Sequence, residues 1–303
     1  MAEKCIHCRK KAIFVQETGP VCKSHFLNYV QKKFTKTIRN HNLITKDDVI
    51  GVAFSGGKDS AVALYLLKQY CDKRHIKICA IHIQEGISKT DKKIMKTIND
   101  FCDKYDIELH NYSFYDEYNK TFDEIVKKLP DTIPCTMCAI LRRNLINKKA
   151  RELGITKLVT GHNMTDEAQT LLMNAFQNKP ELVARSGMMP GVIRADKFIP
   201  RIKPLYFVKE EEIELFAKLK NMKIPKLRCP YAKQSLRFQV KDHLDKLSKK
   251  FPHIVSNIVR FNLKIKELVE DKYKGSKIIE CTICKEPSNK EICNKCELLE
   301  KLK

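Results

Sequence analysis

Residues 49–54 form an unbroken apolar run (Val49, Ile50, Val52, Ala53, Phe54) with no alternation, which predicts a strand buried on both faces. Apolar positions then crowd residues 59–70 (Ala61, Val62, Leu64, Leu66, Leu67), and the pattern becomes helical. The alternation repeats downstream. Strands are predicted at 76–83, 107–114 and 157–160, the last ending at Gly161-His162-Asn163. Helices are predicted at 92–105, 121–129, 138–153 and 165–176. A βαβα order of this kind implies a parallel sheet with helices on both faces and a ligand crevice at the carboxyl ends of the strands. Ser55, residues 82–84 and Gly161 all fall at such ends. A helix over 26–48 precedes the first strand. Residues 179–206 carry prolines, glycines, Arg185, Arg194 and Arg201, and read as a surface loop covering the crevice or as one strand with flanking loops. A helix at 210–221 and two basic helices at 238–250 and 252–273 follow.

Composition adds a partner and a compartment. The chain has 303 residues, of which 43% are hydrophobic, enough for two domains or one large domain with appendages. No apolar run reaches the roughly 18 residues of a membrane span. The N-terminus lacks an apolar leader, so a cytoplasmic location is expected. Lys and Arg number 58 against 36 Asp and Glu, a net charge of +22 spread along the chain. Such an excess points to a polyanion, nucleic acid above all. Thirteen cysteines in a reducing compartment point to metal ligation or catalysis rather than disulfides. Cys71, Cys79 and Cys102 sit in apolar surroundings and read as core.

The first chemical motif joins strand to helix. Ser55-Gly56-Gly57-Lys58-Asp59-Ser60 places a glycine turn before a helix N-terminus, where free N–H groups and the helix dipole meet an anion. The spacing fails the Walker A pattern, because Val52 stands five residues before Gly57 and Asp59 follows Lys58. The hexapeptide instead resembles the PP-loop of ATP pyrophosphatases, which split ATP between its α- and β-phosphates. Ala53, Ser55, Gly56, Gly57, Lys58, Asp59, Ser60, Gly161 and Asp166 are the expected nucleotide contacts, with Asp59 placed to bind Mg²⁺. Asp166 also suits a helix cap.

Cysteine spacing defines three further sites. Cys5, Cys8, Cys22 and His25 form two close pairs a dozen residues apart, the pattern of a tetrahedral structural zinc. Cys281, Cys284, Cys293 and Cys296 repeat it with four thiols. The expected organisation is a zinc module at 1–27, a linker helix at 28–48, a catalytic domain at 49–235, a basic helical region at 236–275 and a second zinc module at 276–303. Cys135 and Cys138, just before a helix, find only Cys229 as a third partner. Three thiolates leave one coordination position open. Three readings stay open: a [4Fe–4S] cluster with a free iron site, a catalytic zinc holding water, or a cysteine pair such as Cys138 and Cys229 that carries a persulfide and resolves it as a disulfide.

These motifs, with Pro134-Cys135-Thr136-Met137-Cys138, Gly161-His162-Asn163, Asp166-Glu167-Ala168 and Arg228-Cys229-Pro230, resemble in order the TtuA-type tRNA uridine 2-thiolation enzymes, relatives of the cytoplasmic tRNA thiolases. The resemblance implies an α/β fold, a parallel-sheet PP-loop (adenine nucleotide α-hydrolase-like) domain with N- and C-terminal zinc modules. It implies a [4Fe–4S] cluster on Cys135, Cys138 and Cys229, ATP with Mg²⁺ in the PP-loop, tRNA as substrate, and a homodimer. Sulfur would come from sulfide or a ubiquitin-like thiocarboxylate protein. Asp59 and Asp166 would be catalytic, Asp166 near the target base. The cytidine-thiolating TtcA type shares the PP-loop and three cysteines but lacks both terminal modules. Arg142 stands where the uridine enzymes can carry a catalytic lysine. Arginine keeps the charge for a phosphate or oxyanion but cannot act as a base.

Overall fold

The computed structural model describes the chain except residues 1, 2, 17, 88–90, 191–196, 226–228, 233, 234, 274–277 and 303. Arg194 and Arg228 therefore lie outside the described residues. The chain opens with a hairpin, β1 (Phe14–Gln16) and β2 (Gly19–Val21), and continues into α1 (Lys23–Asn40). The central unit follows as β3 (Val49–Ala53), α2 (Lys58–Asp72), β4 (Lys77–Gln84), α3 (Asp91–Lys104), β5 (Glu108–Ser113), α4 (Phe114–Tyr118), α5 (Phe122–Lys128) and α6 (Pro134–Glu152). Its second half holds β6 (Lys157–Val159), α7 (Met164–Phe176), α8 (Pro180–Ala184), β7 (Arg201–Ile202) and α9 (Glu210–Leu219). The end of the chain contains α10 (Leu236–Lys250), α11 (Ile254–Val269), a second hairpin of β8 (Ile279–Glu280) and β9 (Pro287–Ser288), and α12 (Asn294–Glu300).

The five central strands pair in parallel in the order β5-β4-β3-β6-β7. The chain winds outward through β4 and β5, then returns to the other side of β3. Strand order reverses between β3 and β6, so the crevice outside their carboxyl ends is the expected ligand site. One apolar layer joins α1, α2, α3 and α9 on one face of the sheet, around Phe26, Phe34, Leu64, Leu67 and Phe216. A second joins α5, α6 and α12 on the other, around Phe122, Met137, Leu141 and Leu145. A third packs α7 against α10 and α11 through Ala168, Tyr206, Leu244 and Val259.

Both terminal modules are built into these layers. Cys5, Val21 and Cys22 share the first core with Phe26, and His25 lies in the first turn of α1. Leu298 and Leu302 pack into the second core, and Arg151 of α6 pairs with Glu286. Several boundaries differ from the sequence expectation. The helix expected to reach residue 48 stops at Asn40, because Asn42 adopts a left-handed conformation (φ 47°). The helix expected from residue 138 starts at Pro134, whose fixed φ suits a first helical position, so both cysteines lie within its first five residues. The stretch at 179–206 supplies the edge strand β7, one of its two expected readings, and also the short helix α8, which was not expected.

Candidate active site and metal centres

The PP-loop is shaped by its two glycines and by what packs on them. Gly56 has φ +74° and lies against Ile94 and Ile98, where a Cβ would come within 3.2 Å of either side chain. Gly57 caps α2 without any side-chain hydrogen bond, which leaves the N–H groups of the first turn for a ligand's oxygens. The Ser55 and Ser60 hydroxyls stand 3.1 Å apart, and Ser60 donates to the Gly57 carbonyl at 3.0 Å. Lys58 Nζ lies 2.7 Å from Glu210 of α9 and 3.2 Å from Asp59. Burial pushes the Asp59 carboxyl up, with Glu210 adding to the effect and Lys58 and Asn163 opposing it.

Asn163 ties the two halves of the crevice together. Its Nδ2 donates to Asp59 at 3.0 Å, and its Oδ1 caps α7 by accepting from the N–H groups of Thr165 (2.9 Å) and Asp166 (3.1 Å). Asp166 answers by accepting from the Asn163 N–H, so the expected cap on this helix is a reciprocal box led by Asn163. Burial and then the nearby Asp59 push Asp166 up to about 6. Gly161, an expected nucleotide contact, packs directly on the PP-loop: on the side where a Cβ would stand it meets the backbone of Asp59 and Ser60, with Ser60 N 2.7 Å away. His82, at the end of β4, is buried against the Phe54 carbonyl at 2.8 Å and holds the loop rather than facing the crevice. A cavity of ≈ 200 Å³ opens beside Asp166, lined by Gln169, Glu210, Arg237, Phe238 and Lys241.

The three unpaired cysteines converge on the same edge. Cys135 and Cys138 are three apart at the start of α6, on one helix face. The segment carrying Cys229 is tied beside them by Tyr231, whose carbonyl faces the Cys135 thiol at 3.8 Å. The Tyr231 hydroxyl donates to Asp123 at 2.7 Å, and its ring packs edge-on against Phe122. Burial pushes the Cys138 thiol up to about 12, Arg142 opposes that, and Glu85, Cys229 and Cys135 add to it. Arg142 is held 3.1 Å from Glu85. Ala53 ends β3 and packs on the α6 side of the sheet.

Spacing separates this set from the terminal ones. A tetrahedral ion with Zn–S bonds of about 2.3 Å requires sulfurs about 3.8 Å apart. Cys5, Cys8, Cys22 and His25 present one ligand atom each within 4.8 Å of one another, as do Cys281, Cys284, Cys293 and Cys296. The Cys8–Cys22 and Cys284–Cys293 sulfurs are each 3.6 Å apart. Among the described residues Cys135, Cys138 and Cys229 do not reach that closeness. They suit a larger inorganic group, which spreads its ligands farther than a single ion does.

Residues 27–226 match the family model for the PP-loop domain. A tRNA-5-methyluridine(54) 2-sulfurtransferase from Pyrococcus horikoshii is 35% identical over 297 residues, covering 97% of this chain and 93% of its own. The tRNA 2-thiolation protein NcsA of Haloferax volcanii is 31% identical, with 99% of each chain covered. This chain belongs to the PP-loop family of tRNA thiolation enzymes. In structure it is similar to the U34-tRNA thiolase NcsA from Methanococcus maripaludis, solved with its [4Fe–4S] cluster, at a TM-score of 0.85 and 31% identity over 99% of this chain and 96% of that one. The α/β fold and the ATP-using domain expected from sequence are those of this thiolase family. Both terminal cysteine groups are present as expected, and no helix among the described residues is long and apolar enough to cross a membrane.

In this thiolase the terminal groups are pre-arranged for a cation. Hydrogen bonds from the Ser24 hydroxyl and the His25 N–H bring Cys22 down to about 5. Burial opposes ionisation of Cys281, but N–H groups of Cys284, Cys293 and Ile283 hold it down to about 6. Sequence inspection singled out Asp59, Asp166, Arg142 and the cysteines but not Glu210, Arg237, Tyr231 or Glu85. Only Tyr231 carried a signal, standing two residues after Cys229. The others come from elements remote in sequence with no shared motif.

Proposed function

We propose that this enzyme uses ATP to adenylate the C2 carbonyl oxygen of a tRNA uridine and replaces that oxygen with sulfur at a centre held by Cys135, Cys138 and Cys229. The observation that carries this reading is the placement of three cysteines, too spread for one ion, on the same strand-end crevice as the PP-loop. The uracil oxygen is a poor leaving group; once it carries AMP it leaves readily. Ser55, the N–H groups of Gly57 to Ser60 and Lys58 hold the departing β- and γ-phosphates. Lys58 exchanges Glu210 for phosphate as ATP enters, and Asp59 takes Mg²⁺. Asp166 accepts a proton beside the target base or shares the metal with Asp59. Arg142 supplies a fixed cation for a phosphate or oxyanion. A [4Fe–4S] cluster bound to the three cysteines supplies an iron position open to inorganic sulfur. The exposure of Cys229 leaves one side of that centre reachable. The two terminal groups hold structural zinc and fix the modules against the cores.

Sulfide or a ubiquitin-like thiocarboxylate protein donates the sulfur, and the chain works as a cytoplasmic homodimer. The relatives are named for positions 54 and 34 of tRNA, so the test maps the product. Unmodified tRNA is incubated without oxygen with the reconstituted enzyme, ATP, Mg²⁺ and sulfide, and its nucleosides are analysed. 2-Thiouridine at one of these positions is expected and disappears with Asp59→Ala. An unchanged yield with Asp59→Ala refutes the PP-loop step.

A further inference from the structure

The crevice contains more cationic charge than the nucleotide site uses. Arg142 and Arg143 lie one turn beyond Cys138 on α6, and Arg201 of β7 donates to the Arg143 carbonyl at 3.3 Å. Arg237, in the first turn of α10, reaches Thr170 at 2.9 Å and Gln169 at 3.3 Å and stands 3.8 Å from Asp166. The group thus bridges the cysteine side and the Asp166 side of the crevice. Carboxylates answer part of it: Glu85 pairs with Arg142 and Glu167 with the neighbouring Lys203. Arg143 and Arg201 have no carboxylate partner among the described residues. Burial and then Arg143 and Arg142 lower Arg201 to about 10. Burial, Lys203 and the arginines lower His162 to about 3, so it brings no further charge. Like charges gathered this way repel, and a bound polyanion relieves the repulsion.

We propose that Arg143, Arg201 and Arg237 form a cradle for a backbone phosphodiester of the RNA next to the target uridine. This rests on the tRNA thiolase reading above. An RNA phosphate fits better than an ATP phosphate, because the triphosphate already has Lys58 and the α2 N-terminus. Guanidinium forks match phosphate oxygens two at a time, and three forks from α6, β7 and α10 fix the strand where the base must enter. The cradle is a positioning device, holding the nucleotide between Asp166 and the cysteine centre.

The test uses the full-length reconstituted enzyme with Arg143→Gln, Arg201→Gln and the corresponding lysine variants, each first checked for an unchanged thermal melt. tRNA affinity is titrated across salt concentrations, and ATP affinity is measured with a non-hydrolysable analogue. Each glutamine variant is expected to weaken tRNA binding about fivefold and to reduce the salt slope by about 1. ATP affinity stays unchanged, and lysine restores the salt slope. Wild-type tRNA binding with unaltered variants overturns the cradle but not the thiolase reading. Loss of ATP affinity with intact tRNA binding also overturns it, assigning the arginines to the nucleotide. A wild-type enzyme that binds no tRNA overturns the thiolase reading itself, and the cradle with it.

Discussion

Gly161→Ala tests how tightly the two halves of the crevice are packed. The added methyl would stand 2.7 Å from Ser60 N, 2.9 Å from the Asp59 carbonyl carbon and 3.0 Å from Ser60 Cα. These are backbone atoms of the first turn of α2, so no side chain can swing aside. Restoring a contact of about 3.5 Å moves the turn or the 160–163 loop by roughly 0.5–0.8 Å. Overpacking of this kind costs about 1–3 kcal/mol, a fall of several degrees in Tm. The displaced turn carries Asp59 and the N–H groups that receive phosphate. A misplacement approaching 1 Å costs up to about 100-fold in rate, so a loss of about ten- to a hundredfold in single-turnover ATP consumption is expected. Gly154→Ala is the control. Gly154 has φ +66° with no heavy atom within 4 Å of its would-be Cβ. It costs about 1 kcal/mol through backbone strain and leaves ATP consumption unchanged. If Gly161→Ala and Gly154→Ala give the same small loss of Tm and the same turnover, the close packing of Gly161 on the PP-loop is wrong.

Three further outcomes follow from the same geometry. Glu210→Gln removes the carboxylate that competes with phosphate for Lys58 and is expected to tighten ATP about fivefold by equilibrium titration; weaker binding would show that Glu210 assists the nucleotide. Asp166 sits at about 6 rather than 3.8, so the folded protein holds this proton more tightly than the unfolded chain. Its contribution is therefore full below about pH 4 and is lost as pH rises through about 6. In metal-free protein the wild type should lose about 2 kcal/mol relative to Asp166→Asn between pH 4 and 7, read from Tm, and a flat difference refutes the shift. Anaerobic reconstitution should load about four irons per chain in the wild type and fewer in Cys135→Ala, Cys138→Ala or Cys229→Ala, with about two zincs retained in all. A variant that keeps its full iron content removes its cysteine from the centre.

Much of this molecule was legible without coordinates, for a local reason. The PP-loop works through the backbone of six consecutive residues between a strand and a helix, and Ser55 to Ser60 carry all of it. Each pair of candidate metal ligands is set locally, by a turn or by the start of a helix, so Cys5/Cys8, Cys22/His25, Cys281/Cys284 and Cys293/Cys296 announce themselves by spacing. The continuous apolar runs at 49–54 and 76–83 meant strands covered on both faces, and the parallel sheet supplies helices on each side. Contacts between distant elements left no such trace. Lys58 meets Glu210 across 152 residues, and Asn163 reaches Asp59 across 104. Arg143, Arg201 and Arg237 lie in three elements with no common period. The close packing of Gly161 on the start of α2 likewise left no sequence signal. Sequence alone determined which groups could bind phosphate or metal, because those motifs are short and local. The tertiary structure alone decided which of them face one another, because the reversal of strand order between β3 and β6 brings their carboxyl ends, and everything attached to them, to one crevice.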